Sequence, residues 1–322
     1  MTRKTTDGAS RILIRAMAAL LGVVTLANCA ADSPEPPPSS STTPVPRPTW
    51  TPPPTYPLTP EQFPRWDGST ATMPLAALVL ERMTGLDTTS AENAVTFTGT
   101  SSAHLRLANG ETDIIIAYEP DDETKHQLAQ HGVELEYYPL GRDALVFLVN
   151  ASNPVTGLTT AQLHDIYRRG SRITNWNQLG GADAALVAFQ RNETSGSQAL
   201  FRKLIMGDTP LADAPTELVV DMMRGLIDRI ASYHNTGAAL GYSVYYYARY
   251  MYAQPGVKLL AVDGVEPSSE TIAAGTYPHL NDFYVAIRAS EPTHSPVRVV
   301  LGWLLSADGA TTIADAGYVG IR

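Results

Sequence analysis

Apolar residues in this chain occur as short runs, and these runs alternate with stretches whose apolar positions recur at helical spacing. The runs predict buried strands at residues 94–97, 113–117, 144–149 and 186–189. The stretches between them predict helices at residues 75–80, 103–108, 161–167 and 198–206. Strands that alternate with helices are typical of βαβ units, so we predict an α/β protein with mostly parallel sheets. About 260 residues with this pattern exceed one comfortable core, which indicates two α/β lobes.

The start of the chain has the pattern of an export signal. A basic beginning is followed by an apolar run at residues 16–27, shorter than the roughly 20 apolar residues that a transmembrane helix needs. Just beyond the run lies the only cysteine of the chain, Cys29. This ending resembles a bacterial lipobox, which implies that residues 1–28 are removed and that Cys29 is acylated, for example with palmitate. Asn28 stands where that motif usually has Gly, Ala or Ser, so an ordinary signal peptide with an incidental cysteine stays the alternative.

A proline-rich segment follows the signal. Residues 33–60 contain 12 of the 24 prolines, mixed with Ser and Thr. Proline lacks an N–H group and restricts its neighbours, so this segment cannot build a helix or a sheet ladder. We predict an extended, semi-stiff tether over residues 29–60, whose proline-rich part spans roughly 90 Å at about 3.1 Å per residue. The folded part is then expected over residues 61–322.

The charge of the chain excludes several classes of function. The 23 basic and 32 acidic residues give a net charge of −9, and removal of residues 1–28 leaves 19 basic and 31 acidic residues, or −12. Such an acidic protein lacks the basic face that binds nucleic acid, so no nucleic-acid partner is expected. A single cysteine excludes a disulfide framework and a cysteine-based zinc site. Any site for an anion must therefore be local and buried.

Three polar loops that precede predicted helices are candidates to hold a small anion. The first, residues 67–72, has small hydroxyl residues followed by Met73 and Pro74, which are good helix-start signals. The second, residues 99–102, lies between a predicted strand and a predicted helix. Helix starts offer unpaired N–H groups to an anion, and both loops would follow strand ends, where ligands bind in open α/β sheets. Plain helix capping is the alternative for each loop.

The third loop, which starts at Arg191, carries the most distinctive chemistry. Arg191 has a forked pair of donors for the oxygens of a tetrahedral oxyanion, and Gly196 lets the backbone approach a ligand. Ser195 and Ser197 add hydroxyl groups, and Glu193 could orient the guanidinium. The alternative is a surface ion pair beside a capped helix. The chain has no Gly-x4-Gly-Lys-Ser/Thr pattern, so a nucleotide P-loop is not supported.

A set of motifs across the chain resembles one known family. The set consists of Asn153-Pro154-Val155, Leu158-Thr159, Ile173-Thr174-Asn175-Trp176 and the Arg-x3-Ser-Gly-Ser pattern that starts at Arg191. It is similar to the phosphate-binding proteins of ABC transporters, in the periplasmic-binding-protein superfamily, with weaker similarity from residue 67 onward. The resemblance implies the two-lobed type 2 fold with two hinge crossovers. Lobe 1 would cover residues 61–142 and 283–322, and lobe 2 would cover residues 143–282.

The resemblance also implies a phosphate site made from all three loops. Its members in this sequence would be Ala71, Thr72, Met73, Thr100, Ser101, Tyr118, Arg191, Glu193, Ser195, Gly196 and Ser197. High-affinity members of the family carry an Asp after the strand predicted here at residues 113–117, and this Asp accepts the proton of hydrogen phosphate. Tyr118 occupies that position in this chain, with Glu119 beside it. A tyrosine hydroxyl can accept or donate, so the choice between phosphate, sulfate and another oxyanion stays open.

These features predict an exported, lipid-anchored receptor on the extracellular face of a bacterial cell membrane. It would capture phosphate, or a similar tetrahedral oxyanion, between its lobes and deliver it to an ABC permease. Four or five hydrogen bonds to a charged ligand, at about 1.5–3 kcal/mol each, suffice for micromolar binding, so no metal or cofactor is expected. We expect a monomer that is not an enzyme.

Two other classes of function stay open. A hydrolase could use Ser69, Ser101 or Ser195 as a nucleophile, but each would need a base within reach, and the histidines are scattered along the chain. An anion sensor or surface interaction protein could keep the fold without transport. Its partner platform would be the dense aromatic stretch of Tyr242, Tyr245, Tyr246, Tyr247, Tyr250 and Tyr252. Tyrosines that pack inside the protein are the alternative to such a platform.

Overall fold

The structure is a computed structural model, and it describes residues 57–193, 195–214, 219–220, 223–232 and 238–321. The predicted signal segment 1–28, the predicted acylation site Cys29 and residues 29–56 of the predicted tether lie outside the described residues. Leu58, from the end of the predicted tether, already packs in the main core, and its N–H donates to Met83 O at 3.2 Å. The folded part therefore includes residues before Glu61.

The described residues form more helices than the four that the sequence predicts. They are α1 (Met73–Thr84), α2 (Thr88–Ala94), α3 (Thr100–Ala108), α4 (Asp122–His131), α5 (Thr160–Tyr167), α6 (Gly196–Phe201), α7 (Met223–Ser232), α8 (Ser269–Ala273), α9 (Pro296–Leu304) and α10 (Ala307–Asp315). Short 3₁₀ turns cover Pro60–Gln62, Thr70–Thr72 and Trp176–Leu179, and π turns cover Arg202–Met206 and Tyr247–Met251. The four helices predicted above are confirmed, although the last divides into α6 and the π turn that follows it.

The strands divide between one large sheet and two small pairs. They are β1 (Trp66–Gly68), β2 (Ile114–Tyr118), β3 (Leu135–Asn150), β4 (Gly157–Leu158), β5 (Val187–Ala188), β6 (Gln190–Arg191), β7 (Val219–Val220), β8 (Ala239–Val244), β9 (Val257–Leu259), β10 (Ala261–Val262), β11 (Leu280–Arg288) and β12 (Val319–Gly320). The large sheet has the order β1-β2-β11-β3-β8-β5, and β9 and β12 also pair with β3. The small pairs are β4 with β10 and β6 with β7. The strands predicted at 113–117, 144–149 and 186–189 overlap β2, β3 and β5.

β3 joins the two halves of the large sheet. Its first part, up to Ala144, pairs antiparallel with β11, and its last part, from Leu145, pairs antiparallel with β8. The chain returns at the start of β11, where Leu280 lies opposite Ala144. The N–H of Leu145 donates to His279 O at 2.9 Å. The outgoing and returning segments are therefore fixed to each other at this crossover.

The large sheet is mixed, so the prediction of mostly parallel sheets is wrong. Among the described residues, parallel pairing is limited to β1 with β2, β5 with β8, β4 with β10 and β6 with β7. The strands β3 and β11 are antiparallel because they carry the chain in opposite directions between the two halves. A strand buried on both faces is a continuous apolar run whatever its direction. The apolar pattern therefore does not reveal whether a strand runs parallel or antiparallel to its neighbours.

The prediction of a strand at residues 94–97 is also wrong. α2 ends at the first of these residues, and the rest pass beside β1 without forming a ladder. The side chains of Val95 and Phe97 are buried against α1, which explains the apolar run. The N–H of Thr98 donates to the Asp67 carboxylate at 2.7 Å. A side chain thus takes the place that a neighbouring strand would have in a ladder.

α1 shows how the sequence sets both ends of a helix beside the candidate site. Pro74 lies in its first turn, where a missing N–H costs nothing, and Gly85 ends the helix with φ 75°, a left-handed conformation that favours glycine. Leu75, Val79 and Met83 recur at i, i+4 and i+8, are fully buried and pack in the main core. This packing holds the start of the helix firmly behind the first polar loop.

The pair α9 and α10 is the most apolar helical segment near the end of the chain. Taken one at a time, the described helices are too short or too polar to cross a membrane. α9 and α10 reach the required length and apolar content only together, and they are bent by 68° at their break. Val300 and Leu304 from α9 and Ile313 from α10 pack in the main core.

Candidate functional site

The second and third polar loops meet in the structure. Gly196, the first residue of α6, lies so close to Thr100, the first residue of α3, that a Cβ at position 196 would be 2.7 Å from Thr100 Oγ1. The same Cβ would be 3.8 Å from the ring of Tyr118, at the end of β2. Three predicted site residues from separate elements therefore lie side by side. We call Thr100, Tyr118 and Gly196 the loop junction.

Thr100 is the residue of the loop junction whose hydrogen bonding is incomplete. It is 2% exposed, and its hydroxyl oxygen has no hydrogen-bond partner among the described residues. A buried hydroxyl without a partner costs about 1–3 kcal/mol, so a ligand or water that accepted the proton of Thr100 would recover that free energy. Thr100 also begins the nine-residue helix α3, whose first N–H groups and positive dipole end favour an anion.

Asp67 positions the second loop, and sequence reasoning missed this role. Its carboxylate accepts hydrogen bonds from the N–H and the hydroxyl of Thr98, both at 2.7 Å. The next residue, Gly99, has φ 103° and donates its N–H to Gly68 O at 3.0 Å. The second loop is thereby held beside the end of β1, although only the first loop directly follows a strand. Asp67 and Thr98 are 31 positions apart, so no local pattern in the sequence reveals their contact.

The first loop is anchored to β2 by its own polar groups. Thr72 is fully buried, and its hydroxyl donates to Ile116 O at 2.8 Å. Ala71 is buried as well, and its carbonyl accepts a hydrogen bond from the Tyr318 hydroxyl at 2.6 Å. Met73 is partly buried and begins α1. The loop therefore lies against β2, and the proton of Thr72 is already used within the protein.

Ser101 turns away from the loop junction towards α4. Its hydroxyl donates to Asp121 at 2.5 Å, and Asp121 also caps α4 by accepting the N–H of Thr124 at 2.7 Å. Burial acts to raise the pKa of the Asp121 carboxyl, but the hydrogen bonds from Ser101 and Thr124 outweigh it and lower the pKa. The proton of Ser101 is therefore held by a carboxylate, which makes Ser101 a poorer donor to an anion than its neighbour Thr100.

The residues of the third loop gather at the start of α6. Arg191 and Ser197 are buried, with exposures of 5% and 3%. The N–H of Arg191 donates to the Tyr242 hydroxyl at 3.1 Å, and that hydroxyl is also bonded to Gln198. Ser195 caps the helix by accepting the N–H of Gln198 at 3.2 Å, and its oxygen lies 3.4 Å from Ser197 Oγ. The loop is thus fixed between β8 and α6.

Glu193 has a partner that the sequence did not indicate. Its carboxylate forms a two-point ion pair with Arg202, with both N–O distances at 2.8 Å, and accepts from Gln198 at 3.1 Å. The Arg202 guanidinium lowers the pKa of the Glu193 carboxyl. From the sequence, Glu193 is expected to orient Arg191, whereas this ion pair joins the loop to the π turn that continues α6.

Tyr118 is buried and bonded to a carboxylate that sequence reasoning also missed. Its hydroxyl donates to Asp143 Oδ2 at 2.7 Å, and the two residues are 1% and 2% exposed. The other oxygen of Asp143 accepts the N–H groups of Ala144 at 2.8 Å and Tyr246 at 3.1 Å. Burial raises the pKa of Asp143 to about 6, and burial together with the Asp143 charge raises the pKa of Tyr118 well above its usual value. The sequence held one hint, an acidic residue directly before an apolar run.

Glu119, the neighbour of Tyr118, is engaged in ion pairs. Its carboxylate binds Lys125 at 2.9 Å, and it also binds Lys203. Although burial acts to raise the pKa of Glu119, the two lysines outweigh it and lower the pKa. Glu119 follows β2 and Lys203 follows α6, so this ion pair links the same two elements that meet at the loop junction. Tyr118, rather than Glu119, is the residue that borders the junction.

Comparison with known proteins agrees with this architecture. Residues 64–308, well over half of the chain, match the family described as "PBP superfamily domain". The chain belongs to this superfamily. Its two-lobed α/β fold of the type 2 periplasmic-binding-protein class, with crossovers at β3 and β11, is the fold that the sequence predicted.

Individual members of the superfamily have moderate sequence identity to this chain. Protein SphX of Synechococcus elongatus is 26% identical over 270 residues, covering 79% of this chain and 76% of that protein. Phosphate-binding protein PstS of Bacillus subtilis is 26% identical over 260 residues, covering 78% of each. The crystal structure of an ABC-type phosphate transport receptor from Vibrio cholerae has a TM-score of 0.59 at 24% identity, covering 79% of this chain and 98% of that one.

The serines considered as nucleophiles have other partners in this PBP superfamily chain. Ser69 accepts the N–H of Ala71, Ser101 donates to Asp121, and Ser195 caps α6. Within the described residues none of these hydroxyls is hydrogen bonded to a histidine. The same part of the chain has no cluster of three His, Cys, Asp or Glu side chains placed to hold a metal ion.

The tyrosine stretch of this PBP superfamily chain packs mostly inside the protein. Tyr242, Tyr245, Tyr246 and Tyr247 are buried, whereas Tyr250 is 50% exposed. The ring of Tyr246 stacks on Tyr318 with centroids 3.5 Å apart. A continuous aromatic platform for a partner is therefore not formed by these side chains.

Proposed function

We propose that this protein captures phosphate, or a closely similar tetrahedral oxyanion, between its two lobes and delivers it to an ABC permease. The names of the relatives support this proposal: one is a phosphate-binding protein and another an ABC-type phosphate transport receptor. The meeting of the second and third loops supports it from the structure, because both loops carry residues that the family resemblance assigns to the ligand.

The observation that carries the proposal is the buried, unpartnered hydroxyl of Thr100 beside Gly196. An anion held there would accept the hydrogen bond that the protein lacks. Arg191, Ser195 and Ser197 would add the guanidinium and hydroxyl donors of the third loop. Micromolar binding needs about 8 kcal/mol, and charged hydrogen bonds contribute about 1.5–3 kcal/mol each, so four or five such contacts suffice without a metal.

Closure of the two lobes on the ligand is part of the proposal. We assign residues 58–142 and 283–322 to lobe 1 and residues 143–282 to lobe 2, because Leu58 already packs in the main core and bonds to α1. The change of pairing partner within β3, from β11 to β8, supports crossovers close to these boundaries. Such closure is a hinge motion, driven by contacts that the ligand makes only when the lobes are shut.

We place the protein outside the cytoplasmic membrane, as a monomer that is held there by an acylated Cys29 and a proline-rich tether. The basic and apolar pattern of residues 1–28 supports export. The relatives are solute-binding proteins, which supports a receptor rather than an enzyme.

Calorimetry of the protein with phosphate tests the binding proposal. Thr100→Val keeps the shape of the side chain but removes the hydroxyl, so phosphate affinity should fall about 10- to 150-fold. The ligand-free protein should keep its stability or gain some, because an unsatisfied buried group is lost. Thr84→Val is the matched control, because the Thr84 hydroxyl already donates to Leu80 O within α1. Absence of phosphate binding by the unmodified protein, or equal affinity in the Thr100 and Thr84 variants, would refute the site.

Delivery to a permease requires a cellular test. Cells that lack the gene should take up labelled phosphate more slowly at low concentration, and the unmodified gene should restore the rate. Restoration by the Thr100→Val gene at the same phosphate concentration would contradict the proposed coupling of this site to transport.

A further inference from the structure

The hydroxyl of Tyr318, near the end of the chain, holds the first polar loop. It donates a hydrogen bond to Ala71 O at 2.6 Å, and the N–H of Leu75, in the first turn of α1, interacts with the same oxygen. Burial and the neighbouring Tyr246 and Asp143 raise the pKa of Tyr318 well above its usual value, so the hydroxyl keeps the proton that it donates. One buried side chain therefore ties the loop to the start of the helix that follows it.

Tyr246 packs on Tyr318 from the other proposed lobe. It follows β8, whose partners are β5 and the last part of β3, so it belongs to the proposed lobe 2. Its ring stacks on Tyr318 with centroids 3.5 Å apart and planes 14° apart. Its hydroxyl donates to Ala316 O at 2.6 Å, two positions before Tyr318. Tyr246 therefore contacts the segment that carries Tyr318 through both its ring and its hydroxyl.

The surroundings of the two rings are closely fitted. Gly317 lies beside the ring of Tyr246, and a Cβ at position 317 would be only 3.4 Å from that ring. On its other side Tyr318 packs edge to face with Phe283 of β11, with centroids 5.3 Å apart. Both tyrosines are buried, at 7% and 5% exposure. A displacement of the Tyr246 ring must therefore also displace Tyr318, because close-packed side chains have little room to move independently.

Tyr246 is also attached to the crossover between the lobes. Its N–H donates to Asp143 Oδ1 at 3.1 Å. Asp143 lies in β3 just before the point where the strand changes its partner from β11 to β8. A rotation of lobe 2 about this crossover would carry Tyr246 with it. A continuous series of contacts then runs from lobe 2 through Tyr246 and Tyr318 to the carbonyl of Ala71 in the first loop.

We propose that Tyr318 is a positioning residue for the bound oxyanion and that Tyr246 couples it to the movement of lobe 2. Tyr318 acts through the first loop, because its bond to Ala71 holds the start of α1 in the orientation in which free N–H groups face the anion. Closure of the lobes would then set the position of this loop as well as bring the other two loops together. The inference rests on the proposed function, since it requires the first loop to contact the anion.

Tyr318→Phe tests the positioning role, because it keeps the ring and its stack with Tyr246 and removes only the hydroxyl. Phosphate affinity measured by calorimetry should fall about three- to tenfold. Tyr277→Phe is the matched control: Tyr277 is 1% exposed, and its hydroxyl donates to Leu145 O at 3.1 Å, a carbonyl outside the three loops. The control also loses a buried hydrogen bond, but it should keep the affinity within about twofold.

Urea unfolding with and without phosphate distinguishes positioning from a merely structural role. A structural role of Tyr318 lowers the unfolding free energy equally in both conditions. A positioning role also reduces the extra stability that phosphate confers, by the amount that corresponds to the loss of affinity. Tyr318→Phe should show this reduction, and Tyr277→Phe should not.

Tyr246→Leu tests the coupling, because it removes the stacked ring and leaves the hydroxyl of Tyr318 in place. Alone it should weaken phosphate binding about three- to tenfold. Combined with Tyr318→Phe it should add less than about twofold, because both changes act through the same contact with the first loop. Fully additive losses would overturn the coupling that we assign to Tyr246.

The outcomes separate the inference from the function on which it rests. If the unmodified protein binds phosphate and Tyr318→Phe binds it as tightly as Tyr277→Phe does, the inference is overturned and the proposed function stands. If the unmodified protein does not bind phosphate, both fail. Should Tyr318→Phe not fold, Tyr246→Phe decides, since it keeps the stack and loses only the bond to Ala316. Affinity below that of Tyr277→Phe then supports the inference, and equal affinity overturns it.

Discussion

Substitution of Gly196 by Ala tests whether the contact between the second and third loops belongs to the ligand-bound state. Gly196 has a helical backbone that alanine adopts freely, so any effect must come from the new methyl group. In the structure that methyl would lie 2.7 Å from Thr100 Oγ1, well inside the 3.0 Å that real Cβ contacts respect. Thr100 has two rotamers open to it in a helix, so the methyl group either turns the Thr100 hydroxyl away or separates the loops, and both outcomes remove the present contact.

The cost of such overpacking is about 1–3 kcal/mol in a well-packed region. If the contact forms only when the lobes close on the anion, this cost appears as phosphate binding weaker by about 5- to 150-fold. The ligand-free protein would not carry this overpacking cost, and alanine in place of glycine within a helix should even stabilise it by up to about 1 kcal/mol.

The assay is calorimetric titration with phosphate, combined with urea unfolding of the ligand-free protein. Gly302→Ala is the matched control, because Gly302 lies inside α9 and a Cβ there would meet nothing within 4 Å. This control should gain stability and keep its affinity. The reasoning fails if Gly196→Ala binds phosphate as tightly as Gly302→Ala, or if it loses its stability in the absence of ligand.

Three further predictions concern charged groups around the site. Lys203→Gln removes an ion pair that joins the two proposed lobes, so it should weaken phosphate binding about two- to fivefold at low salt. Lys125→Gln removes a partner of the same carboxylate within the proposed lobe 1 and should not weaken it. Calorimetry at two salt concentrations compares the two variants, and equal effects would contradict the lobe assignment. The pKa of Asp143 is about 6 in the folded protein against an ordinary 3.8, so the folded state binds its proton more tightly than the unfolded state does. The unfolding free energy should therefore fall by about 3 kcal/mol as pH rises from about 4 to beyond about 6, and urea unfolding of Asp143→Asn should show a flatter pH profile. Asp67→Asn should lower the unfolding free energy by about 1–3 kcal/mol in the same assay at neutral pH, because the Thr98 hydroxyl loses a carboxylate partner; unchanged stability would show that Asp67 does not hold the second loop.

Local patterns were enough to predict the helices that frame the site. Pro74 and the hydroxyl residues before it mark the start of α1, and the apolar spacing after them sets its buried face. The third loop was recognised because Arg191, Ser195 and Gly196 lie close together in the sequence. Signals of this kind depend on neighbours a few positions apart, which is the range over which a sequence can be read directly.

Contacts between distant positions were the part that the sequence did not reveal. Tyr118 meets Asp143 across 25 positions, and Asp67 meets Thr98 across 31. The sequence marks Asp143 only as an acid before an apolar run and Asp67 only as part of a polar loop, because the partner of each acid is set by the fold. The same limit explains the error at residues 94–97, where an apolar run is buried against a helix while a carboxylate replaces the expected strand.

The resemblance to a family left open whether Tyr118 or Glu119 takes the place of the expected Asp, and the structure distinguishes these two residues. The sequence placed Tyr118 and Glu119 where an acid was expected, without deciding between them. In the structure Glu119 is bound by two lysines, whereas Tyr118 is buried at the loop junction. The acid that contacts Tyr118 is Asp143, which comes from a different strand.

The position of β11 in the large sheet has a consequence for how the protein is made. β11 lies between β2 and β3, yet it follows both of them late in the chain. Until residues 280–288 are available to fold, the fully buried run Ile114, Ile115 and Ile116 has no strand to cover that edge. This half of the large sheet therefore cannot be completed before nearly the whole chain has been synthesised, and an incomplete chain has an apolar sheet edge that is prone to aggregate.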